Sequence, residues 1–335
     1  MNRAVQYDLI RIFACLLIVM MHAPLPGSEA DGLLLSALSY LTAPGIGLFF
    51  MVSGALLLPV KTGTGTFLRR RFTKIVIPTV VWTIFYIVCN MIWTSEMPTW
   101  KMLLSIPLST QGNPVFWFIY TLAGLYLLVP ILSQWLKNCS RRELEFYLCL
   151  WSISLCYPLL KFAVDINTSN TGILYYFTGY VGYFVLGNYC RAYPERLSMR
   201  WLVPAVMAAM VVPAICKLGR LSVDFYAIFW YLSPFVAIQC LFWWKLANDI
   251  SAKWMTKKAY PVISMLAQFT FGIYLVHIFI MRYVLWHCDF ILNIQPYILQ
   301  TFVIIALTFV CSFLFCWFIS ILPFSTYLIG FTKKD

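Results

Sequence analysis

Ten stretches of about twenty predominantly apolar residues follow one another along this chain, at 4–24, 36–58, 75–95, 115–136, 146–163, 172–190, 201–218, 226–246, 262–286 and 297–322. No other feature constrains the fold as much. Hydrocarbon offers no water to a backbone amide, so each stretch has to satisfy its own hydrogen bonds and reads as a membrane-crossing helix. Proline and charge clusters punctuate the series: Pro24-Leu25-Pro26-Gly27, Lys61 to Lys74, Pro98, Gln111-Gly112-Asn113-Pro114, Arg141-Arg142 and Pro194. The expected fold is an all-α, polytopic membrane helix bundle of about ten transmembrane helices, read as a single domain over 1–335.

Composition agrees. Of the 335 residues 62% are hydrophobic and 11% charged, against about 45–50% and about 25% in a soluble domain. The net charge of +12 would raise the question of nucleic acid in a soluble protein. Here the basic residues fall in short loops between apolar stretches, so no nucleic acid is expected and the partner of that charge is the lipid bilayer. With the N-terminus in the cytoplasm, 18 of the 24 Lys and Arg lie on inner loops and tails and 5 on the outer side, with Arg11 inside a span. That asymmetry places both termini in the cytoplasm. The 11 cysteines are an odd number without CxxC or Cys/His spacing, which suggests neither a disulfide framework nor a metal site. Asp8 and Arg11 interrupt what would be the core of a signal peptide ending at Ser28-Glu29-Ala30, so the first span is expected to remain in the mature chain. The loops leave no room for a soluble catalytic domain, and any activity belongs within the bundle.

Within the first span stand Arg11 and His22. A cation in hydrocarbon costs roughly 2.5–3.5 kcal/mol even on the lenient insertion scale, which makes it a functional candidate. Eleven residues make three helical turns plus about 20°, so both side chains share one face, about 16 Å apart along the axis. A basic group and a titratable imidazole on one stripe suggest a reaction site or a proton path. Arg11 could instead snorkel to the inner surface, and Asp8, one turn earlier, is placed to pair with it at i,i+3. His277 is the second histidine within a span, open to a functional role or to hydrogen bonding between helices. His287 falls at an outer helix end and is expected to be solvated.

Other candidates are weaker alone. Arg69, Arg70 and Arg71 with Lys74 precede Ile75-Val76-Ile77-Pro78 as a basic loop at a helix entrance, serving topology or a multiply phosphorylated ligand. Gly45, Gly47, Ser53 and Gly54 in the second span read first as close helix packing, with Ser53 reaching about the depth of Arg11. Trp117 and Tyr120 open the fourth span, where an interfacial aromatic belt is expected and a stacking surface for a sugar is the alternative.

Together these residues resemble the acyltransferase 3 family of integral membrane acyltransferases, over nearly the whole chain. The resemblance rests on Asp8-x-x-Arg11 with ten residues between Arg11 and His22, and on Gly47-x-Phe49-Phe50-x-x-Ser53-Gly54. Arg69-Arg70-Arg71 with Lys74, Ile75 and Pro78 adds to it. So do Phe116-Trp117-Phe118 with Tyr126 and Pro130, and Gly272-Ile273-Tyr274-Leu275-x-His277. It departs from the family at Ile10 and Ile12, where glycine is frequent. The resemblance implies transfer of an acyl group, often acetyl, from cytoplasmic acyl-CoA to a hydroxyl of a cell-envelope glycan or lipid-linked sugar. It also implies a multi-pass protein of the cell inner (plasma) membrane, with acyl-CoA as co-substrate and no tightly bound cofactor. His22 and Arg11 would be catalytic, His22 as base or acyl carrier. Asp8, Ser53, Arg69, Arg70, Arg71, Trp117, Tyr120, Tyr274 and His277 would contact donor or acceptor. The alternative is an exporter of a polysaccharide or lipid-linked glycan. An exporter needs a wide polar conduit, and spans with so few polar residues favour the transferase. Acyl length, acceptor sugar and oligomeric state are open at this level.

Overall fold

A computed structural model describes residues 5–25, 40–95, 97–110, 113–160, 164, 172–218, 225–253 and 255–332. Pro26-Gly27, Ser28-Glu29-Ala30 and the turn residues Gln111 and Gly112 named in the sequence reading lie outside them, as do Arg3, Lys161, Arg220, Lys333 and Lys334 among the basic residues counted there. The structure is 82% helical, with no strand among the described residues. Each of the ten apolar windows holds one helix of twelve residues or more: α1 (Val5–His22), α2 (Pro44–Leu57), α3 (Thr64–Thr94), α4 (Trp117–Asn138), α5 (Arg141–Leu155), α6 (Val181–Ala192), α7 (Met199–Leu218), α8 (Pro234–Lys253), α9 (Tyr260–Ile278) and α10 (Tyr297–Ile319). Among the described residues seven helical stretches are long and apolar enough to cross a bilayer, those of α1, α2, α3, α4, α7, α9 and α10. The other three differ for visible reasons. At twelve residues α6 is about 18 Å long, α5 opens on Arg141-Arg142-Glu143, and α8 carries Lys245, Asp249 and Lys253 in its last turns.

The local chemistry sets the helix ends. α1 stops two residues before Pro24, and α2 begins on Pro44, whose missing N–H is no loss in a first turn. A capping box starts α5, with Ser140 accepting from the Glu143 amide and the Glu143 carboxylate accepting from the Ser140 amide. Large apolar side chains are exposed along the helices, among them Trp201, Met207 and Ile215 of α7 and Phe302, Val310 and Phe318 of α10. A soluble protein would not expose such rows, and a lipid-facing surface requires them.

The chain forms two compact units. The first is drawn from Met1–Met21, Pro26–Pro59 and Ile131–Ser264, the second from His22–Leu25, Val60–Pro130 and Met265–Asp335. In the first, α2 packs on α6 at backbone contact. A Cβ on Gly54 would overlap the Phe184 carbonyl, and one on Gly187 would overlap the Met51 carbonyl. The packing reading of Gly54 is therefore what the structure shows. The end of α2 is tied down by α6 as well, because Asn188 Nδ2 and an Arg191 guanidinium N–H both donate to the Leu58 carbonyl, at 2.8 and 2.7 Å.

In the second unit the short helix Ser325–Ile329 lies on α3, where the Trp82 indole N–H donates to the Leu328 carbonyl at 2.8 Å. α9 and α10 touch where a Cβ on Gly272 would press on Cys316. α3 corrects one expectation. It runs 31 residues from Thr64, so Arg69, Arg70, Arg71 and Lys74 lie inside the helix rather than in a loop before it. At about 46 Å the helix outreaches a hydrocarbon core of about 30 Å, and the surplus length carries the basic residues.

Candidate active site

In the first unit, Asp8 and Arg11 pair one turn apart on α1, with Arg11 Nη1 3.9 Å from Asp8 Oδ1. The carboxylate is 3% exposed and the guanidinium side chain 30%. The acid is thus the buried partner and the base the more accessible one, an arrangement that lowers the cost of both charges. Ser53, half-buried near the end of α2, belongs to the same unit.

The second unit begins at His22, the last residue of α1, and it brings His22 to His277. Their ring centroids are 5.3 Å apart with planes at 61°, an edge-to-face contact. His277 is fully buried, whereas His22 is half-buried. The His277 Nδ1 stands 2.7 Å from the Tyr274 carbonyl. A carbonyl only accepts, so Nδ1 carries the proton and Nε2 presents its lone pair. That Nε2 has no hydrogen-bond partner among the described residues. A buried, unengaged imidazole nitrogen costs desolvation with nothing in return, and a catalytic role is one of the explanations such a group calls for.

The surroundings of His277 are aromatic. The Tyr274 ring is 5.6 Å from its imidazole and 5.6 Å from Phe118, and Phe116 lies 6.2 Å from Tyr274. The Tyr274 hydroxyl donates to the Val115 carbonyl at 2.6 Å, which ties α9 to the short turn Pro114–Phe116 at the head of α4. Asn113 caps that turn by accepting from the Val115 amide. Trp117 alternates outward between the buried Phe116 and Phe118 and is half-exposed. The Tyr120 hydroxyl donates to the Ile106 carbonyl. His287 is exposed on a 3-10 turn, its ring 4.6 Å from Trp93.

The basic cluster divides by face, because successive helical residues point about 100° apart. Arg70, Arg71 and Lys74 fall within one arc of about 100°, and Arg69 stands about 100° to its side. Arg69 and Arg70 are exposed, whereas Arg71 and Lys74 are half-buried. The Arg71 guanidinium covers the ring of buried Phe67 at 5.7 Å.

Sequence reasoning missed Tyr86, on α3, and named Phe116 only within the motif that carries the resemblance, not as a site residue. Tyr86 is 2% exposed, with its ring 5.6 Å from Phe116 and its hydroxyl hydrogen-bonded to the backbone of α9. A tyrosine inside an apolar stretch carries no signal of its own. Among the described residues no cluster of three or more metal-ligating side chains occurs.

Comparison with protein-family models gives a match to the family described as an acyltransferase domain, Acyl_transf_3, over residues 5–317. No curated protein and no solved structure matches the chain.

Proposed function

The chain belongs to the acyltransferase 3 family and is a membrane acyltransferase, and from that premise we propose that it moves an acyl group, first of all acetyl, from cytoplasmic acyl-CoA to a hydroxyl of a cell-envelope glycan or lipid-linked sugar in the cell inner membrane. The observation that supports this reading most is the contact of His22 with His277, one imidazole accessible and the other buried with a lone pair to offer. In the proposed reaction His22 removes the proton of the acceptor hydroxyl as the oxygen attacks the thioester carbonyl. The C–O bond forms, the C–S bond breaks, and the same proton passes from His22 to the departing CoA thiolate. In that step the His277 Nε2 lone pair, without a partner in the resting contact, accepts a hydrogen bond from the other His22 nitrogen and fixes the tautomer of the base much as a carboxylate does in a hydrolase triad. A covalent route, with His22 carrying the acyl group between donor and acceptor, uses the same two rings.

Arg11, balanced by Asp8, orients the donor arm, with Ser53 as a neighbouring hydroxyl. Arg70, Arg71 and Lys74 hold the CoA phosphates, and Trp117 offers a stacking face to the acceptor sugar. The test uses purified protein in lipid nanodiscs with labelled acetyl-CoA and lipid-linked glycans extracted from a deletion strain of the native host. Intact-glycan mass spectrometry should show an acyl group gained in the presence of the protein. If wild-type and deletion strains carry equally acylated glycans while the deletion strain fails to display its polymer, the protein is an exporter and the proposal falls.

A further inference from the structure

The hydroxyl of Tyr86, a residue of α3, stands inside the backbone of α9. It donates to the Leu275 carbonyl at 2.9 Å and accepts from the Phe279 amide at 2.9 Å. In an uninterrupted α-helix those two groups bond each other, since 279 donates to 275. The phenol bridges those two groups, and the residue midway between its two partners is His277. From Phe279 the chain continues as a six-residue π-helical turn, Phe279–Val284, and the Leu285 amide then reaches back to both the Ile280 and the Met281 carbonyls, five and four residues earlier. A side chain bonded into the ladder and a π-helical turn are both recognised causes of a helix kink, and such turns are frequent at functional sites. Tyr86 is held firmly for the task, with its ring against Phe116 at 5.6 Å and its neighbour Phe85 against Phe279 at 5.1 Å.

We infer that Tyr86 is a positioning residue for acyl transfer: by splicing its hydroxyl between Leu275 and Phe279 it sets the direction in which His277 meets His22. This rests on the reading that the two imidazoles perform the transfer. Without the hydroxyl the bridge between Leu275 and Phe279 is lost and the π-helical turn beyond it is free to relax, which turns the His277 ring away from its partner. Misplacement of about 1 Å costs about 10²-fold in rate.

The experiment compares wild-type protein, Tyr86→Phe, His277→Ala and His22→Ala in nanodiscs, with acetyl-CoA as donor and the extracted glycan as acceptor. For Tyr86→Phe, kcat should fall about 10²-fold while KM for acetyl-CoA stays within about twofold, and the pH profile of kcat should be displaced. A merely structural tyrosine would lower the yield of folded protein without moving the pH profile. Wild-type kcat in Tyr86→Phe, with both histidine variants inactive, overturns the role of Tyr86 and leaves the site reading standing. Wild-type rates in the histidine variants remove the site reading and this inference with it. Should Tyr86→Phe fail to accumulate, 3,5-difluorotyrosine at position 86 keeps ring and hydroxyl but weakens the oxygen as an acceptor. A fall in kcat at unchanged KM then supports the inference, and an unchanged kcat overturns it.

Discussion

His22 and His277, 255 positions apart in the chain, meet edge to face with ring centroids 5.3 Å apart. One ends α1 and the other lies next to the end of α9, so two helix termini deliver the pair. The accessible ring can meet substrate, and the buried ring can only act on its neighbour. His22→Ala should therefore lower acetyl transfer by about 10²–10⁴-fold, the usual worth of a positioned base, with membrane insertion retained. The measurement is turnover of labelled acetyl-CoA at saturating glycan. Turnover within a few-fold of wild type would reduce the pair to packing between helices.

Arg11→Lys tests geometry rather than charge. The ammonium keeps the partner for Asp8 but loses the planar fork, so a donor held by two parallel hydrogen bonds is released. Losing one charge-assisted bond is worth about 1.5–3 kcal/mol, so activity should drop about 10- to 100-fold. Asp8→Asn is predicted to act differently, lowering the amount of inserted protein, since it strips the buried partner from a cation within the span. Full activity in both Arg11→Lys and Arg11→Ala would leave Arg11 a snorkelling anchor.

Much of this was legible in the chain before any coordinates. Apolar windows mark where helices must be, because hydrocarbon leaves the backbone no alternative, and all ten hold one. The i,i+3 pairing of Asp8 with Arg11 was readable for the same reason, since helix periodicity alone fixes it. Readings that depended on a second element fared less well. Lys and Arg are good helix formers, so nothing in the local sequence forbade α3 from starting at Thr64, ahead of its basic residues. The contact of His22 with His277 joins two distant stretches, and no periodicity reports it. Arg191 caps α2 through the Leu58 carbonyl, a contact across 133 positions that its local sequence does not announce. Tyr86 was invisible because its hydroxyl bonds another helix's backbone, which any tyrosine in any span can do.

The crossing of α2 and α6 gives a stability prediction free of assumptions about catalysis. Gly54→Ala and Gly187→Ala each place a methyl group against a carbonyl of the facing helix, and neither backbone can yield without separating the helices. Overpacking of this kind costs about 1–3 kcal/mol, and rigid backbone neighbours put it at the upper end. The unfolding temperature of each variant in detergent should fall clearly below that of Gly124→Ala, whose Cβ would meet nothing within 4 Å. Equal unfolding temperatures for the three would show that the helices do not cross at these glycines.

The division of the basic cluster by face separates a donor grip from a topological signal. Arg70, Arg71 and Lys74 share one arc of α3 and Arg69 does not, yet each carries the same charge for orienting the helix in the membrane. A purely topological role predicts equal effects for equal charge removed. A grip on CoA phosphates predicts that the double substitution Arg70→Gln with Arg71→Gln weakens acetyl-CoA binding about tenfold or more and flattens its salt dependence, because exposed phosphate contacts are screened. Arg69→Gln, which removes a charge from the neighbouring face, should bind acetyl-CoA within about twofold of wild type. Calorimetric titration of the purified variants with acetyl-CoA and with free CoA measures this directly, after accessibility labelling confirms that both termini remain on the same side. Equal weakening by Arg69→Gln would spread the grip around the helix. No saturable binding of either nucleotide to wild-type protein at millimolar concentration would remove the donor altogether and leave the exporter in its place.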